Sequence, residues 1–240
     1  MSEAVVQELR KALPVAMAVF DPKARATGLV IVDEINGFAS VGCGPLAPPA
    51  PDAVVARMIA ETDRLARDFV AAERPIAVFL DTHDPGRLEP PYPPHCEKGT
   101  GQENLVPDLA WLERSPRATL IRKDCINGFV GAIDPVSGAN RVTRWIAEHR
   151  LAALLVVGIC TDICVMDFVL TMLSARNHGL APTLRDIAVF EPACATYDLP
   201  RDAAVGLGLP ETAAHPRGPA HHMGLYFMAS RGAIIAGRLA

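Results

Sequence analysis

Short apolar segments alternate with longer amphipathic segments along most of the chain. The short segments are rich in β-branched residues and are typical of buried strands, whereas the longer ones carry apolar residues at helical spacing. The predicted strands are 28–33, 75–81, 119–122, 151–158, 186–190 and 233–236. The predicted helices are 53–73, 104–113, 141–149 and 162–177. This alternation predicts an α/β protein with a mostly parallel sheet that is covered on both faces.

The composition favours one domain, residues 1–240, with no nucleic acid and no membrane as partner. The 240 residues are 50% hydrophobic, enough for a sizeable core, and carry a net charge of -4 without a long basic run. The apolar runs are shorter than the ~20 residues needed to span a bilayer. The first residues also lack the pattern of a secretory signal. We therefore expect a cytoplasmic protein whose six cysteines are reduced.

Several polar residues follow predicted strands directly. Asp33, Asp81 and Lys123 come at or just after the ends of three strands, and a turn at 158–164 follows a fourth. Open α/β sheets bind ligands at the carboxyl ends of their strands. The sequence therefore predicts one site at this edge of the sheet.

Cys164 is the candidate nucleophile of this site. Thr161 or Asp162 could cap the following helix, which would place Cys164 in its first turn. Free backbone N–H groups and the helix dipole there favour a thiolate and could hold a negative oxygen. The alternative is that Cys164 is a small buried apolar residue, and a redox pair with Cys160 has C-x-x-x-C spacing instead of C-x-x-C.

Asp33 and Lys123 are candidate partners of the thiol. Asp33 could take the thiol proton and pass it to a leaving amine, or it could simply cap a turn. Lys123 near the thiol would favour the thiolate, although a single lysine at this position is more often solvated.

These motifs together resemble those of the isochorismatase-like cysteine hydrolases. The motifs are Val32-Asp33, Asn36-Gly-Phe38, Lys123 and the turn Gly-Ile-x-Thr-Asp-x-Cys-Val. Asp81-Thr-His83 and Pro93-Pro-His95-Cys-x-x-Gly-Thr100 narrow the resemblance to the nicotinamidases, and the segments 89–107, 123–131 and 194–200 are similar to their plant-type branch.

The resemblance implies a catalytic triad of Asp33, Lys123 and Cys164 in a three-layer αβα fold. The implied sheet has six strands in the order 3-2-1-4-5-6, which brings Asp33 beside the Cys164 turn. A cis peptide between Ile159 and Cys160 is also implied, with the amides of Cys160 and Cys164 forming an oxyanion hole.

The resemblance also implies a site for one divalent metal ion on Asp81, His83 and His95. One carboxylate and two imidazoles suit zinc, iron or manganese, although Asp-x-His is also found in turns. Glu89, Asp84 or water could complete the ligand set.

Two departures from the family pattern concern the substrate. Ile35 and Gly37 stand where the family often has Gln and Asp, so a polar contact is lost or supplied elsewhere. Tyr92 stands where many members have a tryptophan that stacks on the substrate. Phe38 and Tyr92 could sandwich the substrate ring or could be ordinary core residues.

The implied reaction is hydrolysis of nicotinamide to nicotinate and ammonia through a cysteine thioester. Other amidases or ureido hydrolases of the superfamily, and a non-catalytic metal-bearing relative, are the alternatives. The apolar helix 163–173 favours a homo-oligomer, because it needs cover on a second side. We expect His221 and His222 to be solvated, and the role of 214–230 stays open.

Overall fold

A parallel sheet of seven strands forms the centre of the computed structural model, which describes residues 3–240. The strands are β1 (Ala18–Phe20), β2 (Thr27–Val32), β3 (Ile76–Asp81), β4 (Ala118–Lys123), β5 (Ala153–Ile159), β6 (Asp186–Ala195) and β7 (Ile234–Leu239). Their spatial order is β1-β7-β6-β5-β2-β3-β4. Residues 1 and 2 of the predicted single domain lie outside the described part.

The predicted strand order is confirmed for six of the seven strands, since 3-2-1-4-5-6 corresponds to β4-β3-β2-β5-β6-β7. The predicted count of six is wrong, because β1 adds a seventh strand beside β7. β1 has only three residues, and Val19 at its centre is exposed. Such a short, half-exposed edge strand lacks the continuous apolar run by which the other strands were predicted.

Helices cover both faces of the sheet, as the three-layer prediction requires. The α-helices are α1 (Glu3–Ala12), α2 (Asn36–Ala39), α3 (Ala53–Ala71), α4 (Gly128–Gly131), α5 (Arg141–Glu148), α6 (Met166–Asn177), α7 (Arg201–Gly206) and α8 (Arg217–Ser230). One face packs against α3 through residues such as Met58 and Phe69. The other packs against α5, α6 and α8 through Trp145, Phe168 and Met228. β2, β3 and β5 are buried along their whole length, which explains their continuous apolar sequences.

Two predicted helices differ from regular α-helices, one along its whole length and one in its first turn. The segment predicted as helix 104–113 is a 3₁₀ helix, Pro107–Arg114, which begins at a proline. The segment predicted as helix 162–177 begins with a π-helical turn, Thr161–Val165, that leads into α6. The expected cap from Thr161 or Asp162 is wrong, because Cys160 is the N-cap residue and makes no side-chain capping bond. Asp162 instead accepts a hydrogen bond from the Thr196 hydroxyl at 2.7 Å.

Most of the segment 214–230, whose role the sequence leaves open, forms helix α8. It packs against the π-helical turn and against α6, so that α6 receives its second covering surface within the chain. The apolar character of α6 therefore no longer argues for a homo-oligomer, which stays a prediction.

The prediction that His221 and His222 are solvated is wrong. His222 is buried with Nε2 2.9 Å from the Leu13 carbonyl, and His221 Nδ1 lies 2.9 Å from the Thr161 hydroxyl.

The candidate site lies between β2 and β5, where the order of the strands reverses. From β2 the chain continues to β3 and β4 on one side, and from β5 it continues to β6 and β7 on the other. Val32 of β2 pairs with Gly158 of β5 at this point. Gly158 has a φ of +124°, and a Cβ atom added there would lie 2.1 Å from the Val32 carbonyl oxygen. Only glycine allows the two strands to approach this closely in this conformation.

Among the described residues, we find no helix that is both long and apolar enough to cross a bilayer.

We predict that Gly158→Ala lowers the free energy of unfolding by more than about 3 kcal/mol, because the new methyl group collides with backbone atoms. Gly232→Ala is the matched control. Gly232 also has a positive φ, +98°, but has nothing within 4 Å of its added Cβ. Its conformational strain alone should cost about 1–3 kcal/mol. Urea denaturation of the two variants measures both values, and equal losses would show that the close approach to Val32 is unimportant.

Candidate active site

Four neighbouring strands bring the predicted site residues together. Asp81 and Lys123 are the last residues of β3 and β4 and are paired in the sheet register. Asp33 follows β2, and the turn with Cys164 follows β5. The order β4-β3-β2-β5 places these ends side by side. The structure thus brings the predicted site residues together at this edge of the sheet.

Lys123 lies at the centre of a buried group of charges. Its Nζ is 2.9 Å from Oδ2 of Asp33 and 2.9 Å from Oδ1 of Asp81. It also donates a hydrogen bond of 3.0 Å to the Cys125 carbonyl. Burial alone would lower the pKa of Lys123, but the two carboxylates raise it well above its usual value. Lys123 is therefore charged, and the alternative of a solvated surface lysine is excluded.

Asp33 is the carboxylate next to the candidate nucleophile. Its backbone has a φ of 54°, and its Oδ1 accepts a 3.0 Å hydrogen bond from the Asp81 amide. Burial raises the pKa of Asp33, whereas Lys123 and a hydrogen bond with the Cys164 thiol partly oppose the rise. The carboxylate is thus positioned to take a proton from this thiol and is a stronger base than an exposed aspartate.

Cys164 is buried in the π-helical turn and lines the same cavity as Lys123. Burial raises the pKa of its thiol well above the usual value. The charge of Lys123 lowers the pKa, but Asp33 and Asp81 raise it further. The effect of the helix terminus, which favours a thiolate, is therefore outweighed in the resting protein. Cys164 is a neutral thiol that needs a base during the reaction.

The peptide bond between Ile159 and Cys160 is cis, as the resemblance implied. The Cys160 carbonyl accepts hydrogen bonds of 3.1 Å from the N–H groups of Ile163 and Val165. These bonds hold the carbonyl within the turn. The roles of the Cys160 and Cys164 amides as an oxyanion hole stay a prediction.

Four side chains form a group that could hold a metal ion at the other end of the cavity. The group is Asp81, His83, Glu89 and His95, and its ligand atoms all lie within 4.8 Å of one another. Oδ2 of Asp81 is 3.0 Å from His83 Nε2 and 3.2 Å from His95 Nε2. Oε2 of Glu89 is 3.6 Å from each of the same nitrogens. Two imidazoles and two carboxylates suit a divalent ion such as zinc.

Neighbouring groups hold these candidate ligands in place. His95 Nδ1 donates to the Pro93 carbonyl at 2.8 Å, so that Nε2 is the ring nitrogen that faces Asp81 and Glu89. Oε1 of Glu89 accepts a 2.7 Å hydrogen bond from the Ile126 amide, so that Oε2 faces the histidines. Asp84, the other candidate for the fourth ligand, is exposed and paired with Lys98. Glu89 is thus the fourth candidate ligand, a choice that the sequence left open.

Aromatic rings flank the cavity between the thiol and the metal group. The space enclosed by the lining residues, open solvent at the mouth included, is about 390 Å³. Phe38 and Tyr92 both line it, with ring centroids 5.7 and 6.1 Å from that of His95. Both rings therefore lie where a flat substrate could contact them. Lining residues that the sequence analysis did not name as site residues are Leu46, Ile126, Ile163 and Tyr197.

The departures at Ile35 and Gly37 are explained by packing. Ile35 is fully buried and forms a β-bridge with Leu105. A Cβ atom at Gly37 would lie 2.6 Å from Sγ of Cys96. An aspartate at position 37 would therefore not fit beside Cys96 and Gln102.

A model of the Isochorismatase domain family matches residues 27–206. The chain belongs to the isochorismatase domain family. Within it, the chain is 43% identical over 239 residues to Nicotinamidase 1 of Arabidopsis thaliana, covering 99% of this chain and 97% of the plant protein.

Solved structures of other members have the same fold. The nicotinamidase PncA from Bacillus subtilis superposes with a TM-score of 0.64 at 22% identity and covers 88% of this chain and 99% of its own. The pyrazinamidase of Pyrococcus horikoshii in complex with zinc gives a TM-score of 0.63 at 19% identity, with coverage of 88% and 98%. At these identities the likeness shows the fold alone.

We predict that Glu89→Gln weakens zinc binding at least about tenfold, because the substitution removes one negative charge and one anionic oxygen from the metal group. Asp84→Asn is the matched control, since Asp84 lies three residues from Asp81 but pairs with Lys98. Competition with a chromophoric chelator measures both affinities. Equal affinity in Glu89→Gln and in the unmodified protein would exclude Glu89 from the ligand set.

Proposed function

We propose that the protein is a nicotinamidase, which hydrolyses nicotinamide to nicotinate and ammonia through a thioester on Cys164. The observation that carries the proposal is one cavity that is lined by Cys164, by members of the metal group such as His95, and by the aromatic rings of Phe38 and Tyr92. The identity of 43% with Nicotinamidase 1 over nearly the whole chain supports the same substrate.

The proposed cofactor is one divalent metal ion, held by Asp81, His83, Glu89 and His95. Zinc is the first choice because its preferred ligands are present and because the Pyrococcus relative is described in complex with zinc; iron and manganese are the alternatives. When bound, the ion would act as a Lewis acid for the pyridine nitrogen and so fix the orientation of the ring.

The first half of the proposed reaction forms the thioester. Asp33 takes the thiol proton of Cys164, and the sulfur attacks the carboxamide carbon. The amides of Cys160 and Cys164 hold the negative oxygen of the tetrahedral intermediate. Asp33 then gives its proton to the departing nitrogen, and ammonia leaves.

The second half restores the thiol. Asp33 takes a proton from a water molecule, and the resulting hydroxide attacks the thioester carbon. The carbon–sulfur bond breaks and the proton returns from Asp33 to the sulfur of Cys164. The product leaves as nicotinate after its carboxyl group has lost its proton to solvent. Lys123 stays charged throughout and limits the negative charge that collects around Asp33 and the oxyanion.

Substrate recognition is assigned to the aromatic rings. Phe38 and Tyr92 would contact opposite faces of the pyridine ring. Burial raises the pKa of Tyr92 to about 12, so its phenol remains neutral at physiological pH.

A cytoplasmic location stays a prediction from the sequence.

We predict that Cys164→Ala lowers ammonia release from nicotinamide at least about a thousandfold, because no covalent intermediate can form. Cys43→Ala, at an exposed cysteine, is the matched control and should retain full activity. Thermal unfolding of both variants shows whether the fold is intact.

Normal turnover by a folded Cys164→Ala variant would contradict the proposed mechanism. Turnover of benzamide as fast as nicotinamide by the unmodified protein would contradict the proposed substrate. Benzamide lacks only the ring nitrogen, so equal rates would point to another amidase that uses the same nucleophile.

A further inference from the structure

Tyr197 carries a buried hydroxyl group that the proposed reaction has not yet used. The residue follows β6, its side chain is buried, and it lines the cavity together with Cys160 and Cys164. Among the described residues, its hydroxyl oxygen has no hydrogen-bond partner. A buried polar group without a partner generally costs about 1–3 kcal/mol. Such a group in the wall of a substrate cavity is therefore a candidate for contact with the ligand.

The ring of Tyr197 lies in the cavity wall that Cys160 and Cys164 also line. His215 packs against the ring edge to face, with centroids 4.4 Å apart and planes at 83°. Phe38 and Tyr92 line the same cavity and contact the ring of His95. The side chain of Tyr197 therefore shares one cavity with the turn that carries Cys164.

The hydroxyl of Tyr197 is available as a donor at neutral pH. Burial raises the pKa of Tyr197 well above its usual value, and negative charge on Cys160 and nearby groups would raise it further. The phenol therefore keeps its proton during the reaction.

We propose that Tyr197 Oη donates a hydrogen bond to the carboxamide oxygen of the bound substrate and thereby directs the carbonyl carbon toward Cys164. The inference rests on the proposed function. It adds a third donor to the two amides of Cys160 and Cys164, and neutral donors directed at a developing oxyanion stabilise the transition state.

The choice of the carboxamide oxygen follows from the polar atoms that nicotinamide offers. The ring nitrogen is assigned to the metal group. The amide nitrogen must face Asp33, because it receives the proton on leaving. The carbonyl oxygen is the one remaining acceptor, and as it becomes negatively charged it can accept a third hydrogen bond, from the phenol.

The chain has three tyrosines, which provide a matched set of Tyr→Phe variants. Tyr197→Phe should lower kcat/KM for nicotinamide about 10- to 100-fold, because one donor to the oxyanion is lost. Tyr226→Phe is the control, since Tyr226 lies on α8, is partly exposed and contacts the Phe227 ring. Its kcat/KM should stay within about twofold. Tyr197→Phe should not lower the thermal midpoint, because the lost hydroxyl has no partner in the protein.

Two inhibitors of the metal-loaded enzyme show whether Tyr197→Phe acts by removing a contact with the substrate carbonyl or by changing the shape of the cavity. Pyridine-3-carbaldehyde can add the Cys164 thiol across its carbonyl group: the sulfur bonds to carbon and the thiol proton is transferred to oxygen. Pyridine has the ring nitrogen but no carbonyl. Tyr197→Phe should weaken inhibition by the aldehyde by about the same factor as kcat/KM and leave inhibition by pyridine unchanged.

Unchanged kinetics in Tyr197→Phe, or an equal loss of affinity for pyridine and the aldehyde, would overturn the inference. If the unmodified protein releases no ammonia from nicotinamide, the proposed function fails instead. The comparison of aldehyde with pyridine then still decides whether Tyr197 binds a carbonyl oxygen.

Discussion

The contact of Lys123 with Asp33 and Asp81 is the interaction on which the candidate site depends. One buried ammonium group lies 2.9 Å from a carboxylate of each residue. Two buried carboxylates this close together would repel each other strongly without the cation, and removing one member of a buried ion pair generally costs about 3–5 kcal/mol. Because Asp33 contacts the nucleophile and Asp81 belongs to the metal group, Lys123 joins the two ends of one cavity. The charge that stabilises the fold there also sets the proton affinity of the base.

Much of this arrangement could be predicted from the sequence because it depends on strand ends. The apolar runs before Asp33, Asp81 and Lys123 identify three strands, and parallel strands carry such residues to one edge. The turn with Cys164 follows a fourth strand. What could not be predicted depends on loops and on burial. Glu89 faces the histidines because the Ile126 amide binds its other oxygen, a contact that no local pattern reveals.

The remaining differences between the predicted and the observed structure have related physical causes. Strand β1 is too short for a periodic signal, and the π-helical turn arises because the Cys160 carbonyl accepts bonds from both Ile163 and Val165. His222 is buried because α8 packs back onto the chain near Leu13. The neutral state of Cys164 reflects burial and the two carboxylates, which outweigh the effect of Lys123. The position of Cys164 in the first turn of a helix, taken alone, predicts a thiolate.

If Asp33, Lys123 and Cys164 act together on an amide, the reaction passes through a thioester on Cys164. Rapid acid quench of the metal-loaded protein during nicotinamide turnover, followed by peptide mass spectrometry, tests this directly. We expect one nicotinoyl group on the peptide that contains Cys164, located by fragmentation at that residue instead of Cys160. Continued ammonia release with no acylated Cys164 at any quench time, or acylation of a different cysteine, would contradict this assignment.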